Sequence, residues 1–436
     1  MQIMLQVALD FLNLSQALRV AHEAVAGGAD WLEAGTPLIK SEGLEAVRQL
    51  RKAFPDRTVV ADLKTMDAGR LEIEAAANAG ANVASILGLA SDSTIHECVK
   101  AGQKYGVAVA VDLLGCPDPV GRARQVARWG AATVGIHSAI DEQMQGSDPF
   151  EQLRRVVEAV EIPVAVAGGI HSENIVQAAQ AGARVIIVGG AITKSANATD
   201  ATATLKRALE TGEAIRTDLY RRASADNVRE VLEKVSTANL CDGNHHMPGI
   251  VGLRPVWPGA RVVGTALTVR TAPGDFAKPV EAIDRAEPGD VIVIDAAGCA
   301  PAVWGELASE SAKNKQLAGL VVHGAVRDTA DIRELGLAVW TKLVTSHAGE
   351  PQGLGEINVP IEISGQPICP GDWILADDDG VMVLPKARAV EMANRAADIL
   401  EAENRIRQEI REGATTLAKV VDLLRWEKKG SGSHAG

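Results

Sequence analysis

The chain has 436 residues, a formal net charge of −12 and 47% apolar residues. That length suits two or three domains with more than one large core, and the composition is globular rather than disordered. The acidic balance, with no basic run longer than Arg221-Arg222 or Lys428-Lys429, excludes nucleic acid as the expected partner, because phosphate contacts need clustered Lys and Arg. The five cysteines (Cys98, Cys116, Cys241, Cys299, Cys369) are odd in number and never in C-x-x-C spacing. They point to a reducing compartment without disulfides or structural zinc. No apolar run reaches about 18 residues and the first ten lack a basic start before a long apolar core, so neither a membrane span nor a signal peptide is expected. The cytoplasm is the default location.

From its start the chain repeats one pattern eight times: a short apolar run, a loop, then a helical period ending near glycine. The strand-like runs are residues 4–9, 31–34, 58–63, 83–87, 107–113, 133–136, 164–167 and 185–188. Amphipathic stretches such as 15–26, 42–54, 70–79, 94–105 and 150–160 separate them. This alternation predicts an α/β fold with a parallel sheet covered by helices, and eight units predict a closed (β/α)8 TIM barrel. About 210 residues is short for this architecture, whose usual length is about 250, so the loops must be short.

Active sites of such barrels occupy the carboxyl ends of the strands. Here Asp10 ends the first strand, Glu33 the second, Asp62 and Lys64 the third, Asp112 lies late in the fifth and His137 ends the sixth. In ADLKTMDAG (61–69), Asp62 and Lys64 stand two apart on a strand and share a face. Asp67 lies on the loop beyond and faces something else, such as another subunit; for the acid and lysine together, an internal salt bridge that fixes the loop is the structural alternative. The last two strands end in Gly168-Gly169 and Gly189-Gly190, where backbone N–H groups can approach a phosphate. Glu33 and Asp62 suit Mg²⁺, with Mn²⁺ as the alternative ion. His137 suits proton abstraction near neutral pH. These parts fit metal-stabilised enolisation of a phosphorylated sugar.

LEAGTPLIKSEG (32–43), ADLKTMDAG (61–69), VAGGI (166–170) and VGGAI (188–192) together resemble the 3-hexulose-6-phosphate synthases of the orotidine-monophosphate-decarboxylase superfamily, over about residues 1–212. The resemblance implies an aldol reaction of formaldehyde with ribulose 5-phosphate, giving arabino-hex-3-ulose 6-phosphate, and its reverse. It assigns Asp10, Glu33, Asp62, Lys64, Asp67 and His137 to the acid, metal, lysine and base positions. It also implies a dimer in which the Asp67 position completes the neighbouring site. The sister 3-keto-L-gulonate-6-phosphate decarboxylases share the acids and the lysine but carry an arginine shortly after the histidine. HSAIDEQ (137–143) has none, and Met66 stands in KTMDAG, so the synthase is favoured. A decarboxylase barrel with a non-catalytic oligomerising or regulatory C-terminal domain stands as the alternative.

Beyond Gly212 the pattern changes. Residues 213–239 are polar and charged and fit a linker helix. Residues 240–400 carry new apolar runs at 260–263, 291–294, 319–322, 339–342, 361–363, 373–376 and 381–384. Helices are expected between only some of these, at 304–317 and 329–335, which predicts a mixed α/β sandwich rather than a second barrel. A closing helix spans 387–411, so residues 401–436 are read as a C-terminal helix and a disordered tail, disordered over 428–436.

In GELASES (305–311) the opening of a helix exposes N–H groups suited to a carboxylate. In HGAVRDTAD (323–331), Arg327 can grip a carboxylate or enolate oxygen and Asp328 can hold a cation, the bland alternative being an Arg-Asp pair that stabilises a turn. LCDGN, VVGTALTVR, EPGDVIVIDAAG, GELA, AGLVVHGAVRD and PGDWILADDDGVMVLP resemble the family of ribonuclease E regulatory protein A and the class II 4-hydroxy-4-methyl-2-oxoglutarate aldolases, over about residues 225–400. The aldolase members imply a pyruvate-like 2-oxo acid and a divalent metal at Glu306, Arg327 and Asp328. The further acid, Asp331, falls one place later than the pattern asks. The regulators imply a binding module and a trimer. His245-His246 beside Asp242 are read as a surface turn, since adjacent histidines point apart on a regular element.

Overall fold

Eight short apolar runs form the strands of a closed parallel barrel in the computed structural model, which describes residues 3–139, 144, 149–217, 222–413 and 415–421. They are β1 (Met4–Leu9), β2 (Trp31–Ala34), β3 (Thr58–Thr65), β4 (Val83–Leu87), β5 (Ala108–Asp112), β6 (Thr133–His137), β7 (Val164–Ala167) and β8 (Val185–Val188). The barrel closes through β1 and β8, with Val7 opposite Val188. Outward residues such as Leu5, Leu32, Val59 and Ile186 pack beneath helices that include Leu14–Ala26, Glu45–Ala53 and Ala198–Thr211. Burial on both faces explains why the strands read as short apolar runs. β3 extends two residues beyond the predicted end, and its pairing with β4 jumps from Ala61↔Ala84 to Thr65↔Ile86. The extra residues form a bulge at which Lys64 adopts φ 47.

Among the described residues, the second compact unit comprises residue 144 and residues 222–400, and residues 401–413 and 415–421 are grouped with the barrel. Its strands are β9 (Arg254–Pro255), β10 (Val262–Thr271), β11 (Val291–Asp295), β12 (Ala302–Trp304), β13 (Gly319–Val326), β14 (Ala338–Val344), β15 (Gly355–Ile357), β16 (Ile361–Ile363), β17 (Gln366–Ile368), β18 (Trp373–Asp377) and β19 (Gly380–Leu384). One mixed sheet runs β19-β18-β10-β11-β13-β14-β9, with β12 on β13 and β15 on β10; β16 and β17 form a separate pair. Alternate residues feed two cores. Ile292, Ile294 and Val322 pack with Ala282, Ala312 and Ile332 of three helices, whereas Val291, Val293 and Val321 pack with Ile361, Ile363 and Ile368. That layering is the mixed α/β arrangement expected, in a sheet of more strands than the apolar runs revealed.

The linker helix is corrected. Residues 213–217 carry no helix, and the stretch after residue 221 forms two short helices, Val228–Leu232 and Thr237–Gly243. The first ends at Leu232, and Ser236 starts the second: its hydroxyl accepts from Asn239 N while the Asn239 side chain accepts from Ser236 N, a reciprocal cap that opens a new helix at Thr237. The closing helix runs Ala389–Glu412, and the tail at 428–436 lies outside the described residues. Within the barrel unit, buried Arg405 pairs with Glu23 at 2.7 Å, and Gln16 donates to Val420 O at 2.6 Å. Among the described residues no helix is long and apolar enough to cross a membrane.

Candidate active sites

Inward positions on the barrel strands follow a period of two: Gln6 and Ala8 from β1 with Asp10 just beyond its end, Glu33 from β2, Asp62 from β3, Ser85 from β4, Asp112 from β5 and His137 from β6. They line one cavity of about 960 Å³. Small inward residues such as Ala8, Ala110, Gly135 and Ala165 leave room along the axis, so the lining continues down to Val83 and Thr133 at the strand starts.

The polar end of this cavity is a connected network. Lys64 Nζ lies 2.5 Å from Asp62 Oδ2 and 3.6 Å from Asp112 Oδ2. The Asp112 carboxylate meets His137 Nδ1 at 3.0 Å and accepts from Leu114 N at 2.9 Å. Thr36 Oγ1 donates to Asp62 Oδ2 at 2.7 Å, Ser85 Oγ donates to Asp62 Oδ1, and Gln6 Nε2 donates to Glu33. Glu33 and Asp62 are buried. Burial, then the Asp62 and Asp10 charges, push the Glu33 carboxyl well above its ordinary range. Asp10 opens onto the cavity yet is raised too, by burial and by Asp62. For Asp112 burial acts upward, but the hydrogen bond and charge of His137 and the charge of Lys64 outweigh it, and its carboxyl is held low. Burial acts to lower Lys64, but Asp62 and Asp112 overcome it, so the ammonium is strongly favoured.

Gly168, Gly169, Gly189 and Gly190 line the same cavity. Gly168 and Gly169 hold φ 99 and 67, which a side chain would oppose. Asp67 stands apart from this group. It is exposed, accepts from Ala68 N at 2.7 Å, and does not line the cavity of its own chain. Of the 137–143 run, residues 140–143 lie outside the described residues.

Three acids, Asp10, Glu33 and Asp62, thus face one another with Lys64 as the cation among them, and two of them are raised in part by their neighbours' charge. A hard divalent cation would supply the missing positive charge to oxygen donors of this kind, so the residues present fit Mg²⁺ or Mn²⁺.

In the second unit, Arg327 Nε lies 3.3 Å from Asp328 Oδ2, and Glu306 reaches the same oxygen through its backbone N–H at 3.2 Å. Asp328 sits at φ 56, and a Cβ at Gly305 would stand 2.6 Å from its Oδ2, so a side chain there would have to displace the Asp328 carboxylate. Asp331 is exposed in the first turn of helix Thr329–Leu335. A second polar group, not singled out from sequence, lies on the neighbouring strands. Asp295 pairs in register with His323, and Asp295 Oδ1 meets His323 Nδ1 at 2.8 Å. A Cβ at Gly298 would approach His323 Nε2 to 2.7 Å and Lys342 Nζ to 2.6 Å, so these two groups converge on one loop.

A model of the orotidine 5'-phosphate decarboxylase / HUMPS family matches residues 4–205. Over 205 residues, 47% of this chain, the sequence is 42% identical to a 3-hexulose-6-phosphate synthase from Mycobacterium gastri, of which 99% is covered. The chain belongs to the orotidine 5'-phosphate decarboxylase / HUMPS family. It is an enzyme of the lyase type. A solved 3-hexulose-6-phosphate synthase shares 42% identity at a TM-score of 0.46, over 48% of this chain and 100% of that one. The remainder of this HUMPS-family chain carries a second match, to the RraA-like Aldolase/RraA model at residues 237–383. The RNA-processing inhibitor RraA from Thermus thermophilis is 30% identical at a TM-score of 0.33, over 35% of this chain and 93% of that one.

Several residues of the HUMPS-family site had no local signature. Gln6, Thr36 and Ser85 are ordinary polar residues until the barrel turns them toward Glu33 and Asp62. Lys194 and Thr193 line the cavity just after Gly189 and Gly190. Gly35 is another: a Cβ there would fall 2.1 Å from Asp10 Oδ1. The period of two along β1 and β4 was the available signal for Gln6 and Ser85.

Proposed function

We propose that the barrel joins formaldehyde to D-ribulose 5-phosphate, giving D-arabino-hex-3-ulose 6-phosphate, and catalyses the reverse cleavage. The observation that carries this reading is the Asp112–His137 pair in one cavity with Lys64, the three acids and the glycine pairs. The matched relatives named 3-hexulose-6-phosphate synthase support it. Asp112 engages His137 Nδ1 and so leaves Nε2 for substrate. Nε2 takes a proton from C1 of ribulose 5-phosphate, and the C–H electron pair enters a C1–C2 enediolate. C1 of the enediolate then bonds to the formaldehyde carbon, the carbonyl pair moves to the formaldehyde oxygen, and His137 returns its proton there.

Lys64 donates to the enediolate oxygens, and the N–H groups of Gly168, Gly169, Gly189 and Gly190 seat the phosphate. Glu33, Asp62 and Asp10 would hold a divalent ion, which supplies positive charge as the enediolate forms. A second copy of the chain brings its own Asp67 to the site. The test is formaldehyde consumption with ribulose 5-phosphate, with and without chelator. Decarboxylation of 3-keto-L-gulonate 6-phosphate with no formaldehyde fixation overturns the reading.

For the second unit, the Arg327–Asp328 pair beside the Glu306 N–H supports a site for a 2-oxo-acid carboxylate and a cation. Pyruvate release from oxaloacetate with Mg²⁺ or Mn²⁺ tests it. No release, with a stoichiometric protein partner that Arg327→Ala leaves bound, supports a regulatory module instead.

A further inference from the structure

The turn after helix Thr237–Gly243 is a different object from the regular element on which adjacent histidines would point apart. His245 and His246 both adopt left-handed backbone, φ 58 and 56, which side chains resist. The turn folds His246 back along the helix and brings its Nδ1 to 3.2 Å from Asp242 Oδ1. Cys241 completes the group: one donor atom each of Cys241, Asp242 and His246 lie within 4.8 Å of one another. An Asp–His pair whose side chains are 47% and 81% exposed returns little stability. Two consecutive left-handed histidines are therefore not explained by that pair alone.

We propose that Cys241, Asp242 and His246 form a binding site for a borderline divalent ion of the zinc class. The donor set decides the class: a thiolate, an imidazole and one carboxylate suit Zn²⁺ or Co²⁺, whereas Mg²⁺ and Ca²⁺ prefer all-oxygen sites. Zinc bonds of about 2.0 to 2.3 Å ask the three donors to close by less than the length of one bond, which rotation of the exposed Asp242 and His246 side chains toward half-buried Cys241 achieves. Binding displaces the proton of the Cys241 thiol to solvent and leaves a fourth position for water. The ion would tie the last turn of the helix to the reversed turn that follows it. The site is separate from the carboxylate groups described above and uses none of their residues.

The test is titration of the chelator-treated full chain with Co²⁺ and then Zn²⁺, followed by near-ultraviolet absorbance. The expected result is a thiolate-to-cobalt charge-transfer band saturating at one ion per chain and removed by Zn²⁺. All-carboxylate sites cannot produce that band. Cys241→Ser abolishes it, His246→Ala weakens Co²⁺ affinity at least tenfold, and Cys299→Ser and Cys369→Ser, at the two exposed thiols, leave it intact. Absence of the band in the unsubstituted chain, or its persistence in Cys241→Ser, overturns the proposal.

Discussion

His137 Nδ1 lies 3.0 Å from the Asp112 carboxylate, which also meets the Lys64 ammonium at 3.6 Å. One acid thereby orients the base and links it to the cation that pairs with Asp62. Asp112 is held ionised by these two neighbours, so it keeps the imidazole in one tautomer across the neutral range. Replacing His137 by Gln is expected to lower kcat by about 10²- to 10⁴-fold with the fold intact. Asp112→Asn removes the orienting charge and is expected to cost less than loss of the base itself. Steady-state rates of both variants, with circular dichroism as the fold control, check this; an unchanged kcat in His137→Gln would remove the base from the mechanism.

Glu33 carries a prediction about stability. Its folded pKa is raised well above the ordinary 4.5, by burial first and then by Asp62 and Asp10. Between those two values the native chain holds a proton that the unfolded chain releases, so stability falls as pH rises through that window. Glu33→Gln removes the penalty. The metal-free variant should melt above the unsubstituted chain at pH 8, with the gap closing as pH approaches 4.5. Added Mg²⁺ should raise Tm of the unsubstituted chain more than that of the variant, because binding only to the native state stabilises it. Thermal melts at the two pH values, with and without Mg²⁺, measure both effects, and a variant that melts lower at pH 8 contradicts the account.

Why the barrel was readable and the second unit less so is a matter of where burial is two-sided. Each barrel strand is sandwiched between helices and the axis, so β1, β2, β4, β7 and β8 begin and end where their apolar runs do. In the second unit β9, β12, β15 and β17 have two or three residues each and pair along other strands, too short for any period to show. The polar stretch at 213–239 misled for the opposite reason. Charged residues there alternate with buried Val228, Val231 and Leu232 at helical spacing, but the Ser236 cap restarts the helix. Asp10, Glu33, Asp62, Lys64 and His137 stand at strand ends, which topology alone turns inward. Lys194 and Gly35 matter only through neighbours distant in sequence, and no spacing rule reaches them.

Lys194 lines the cavity beside Gly189 and Gly190, and its charge is felt by Asp10. Glycine N–H groups alone carry only partial charge toward a phosphate dianion, so a lysine at this rim should supply the counter-charge. Lys194→Ala is expected to raise KM for ribulose 5-phosphate by about tenfold, which corresponds to about 1.4 kcal/mol, with a smaller change in kcat. A KM within twofold of the unsubstituted value would place the phosphate elsewhere.

Arg327, Asp328 and Glu306 do not line the barrel cavity, so the 2-oxo-acid reaction proposed for the second unit should be separable from the barrel's. Arg327→Ala should abolish any pyruvate release from oxaloacetate while formaldehyde consumption stays within twofold of the unsubstituted chain. Asp328→Asn should do the same by removing the oxygen that Arg327 and the Glu306 N–H both contact. Loss of both activities together in Arg327→Ala would show that the second unit supports the barrel rather than acting on its own substrate.

Asp67 lies outside the cavity of its own chain, whereas His137 lines it. If a partner's Asp67 completes each site, the two residues of one site come from different chains. Asp67→Asn and His137→Asn homodimers are then both inactive, for independent reasons. Mixing the two variants under subunit exchange creates heterodimers in which one site carries both substitutions and the other carries none. Random pairing makes half of the dimers heterodimeric, so the mixture should recover about one quarter of unsubstituted activity. Recovery is read as formaldehyde consumption against mixing time, and it should vanish when the dimers are cross-linked before mixing. An Asp67→Asn variant with full activity, or a mixture that never exceeds the sum of its parts, would leave each barrel to work with its own residues.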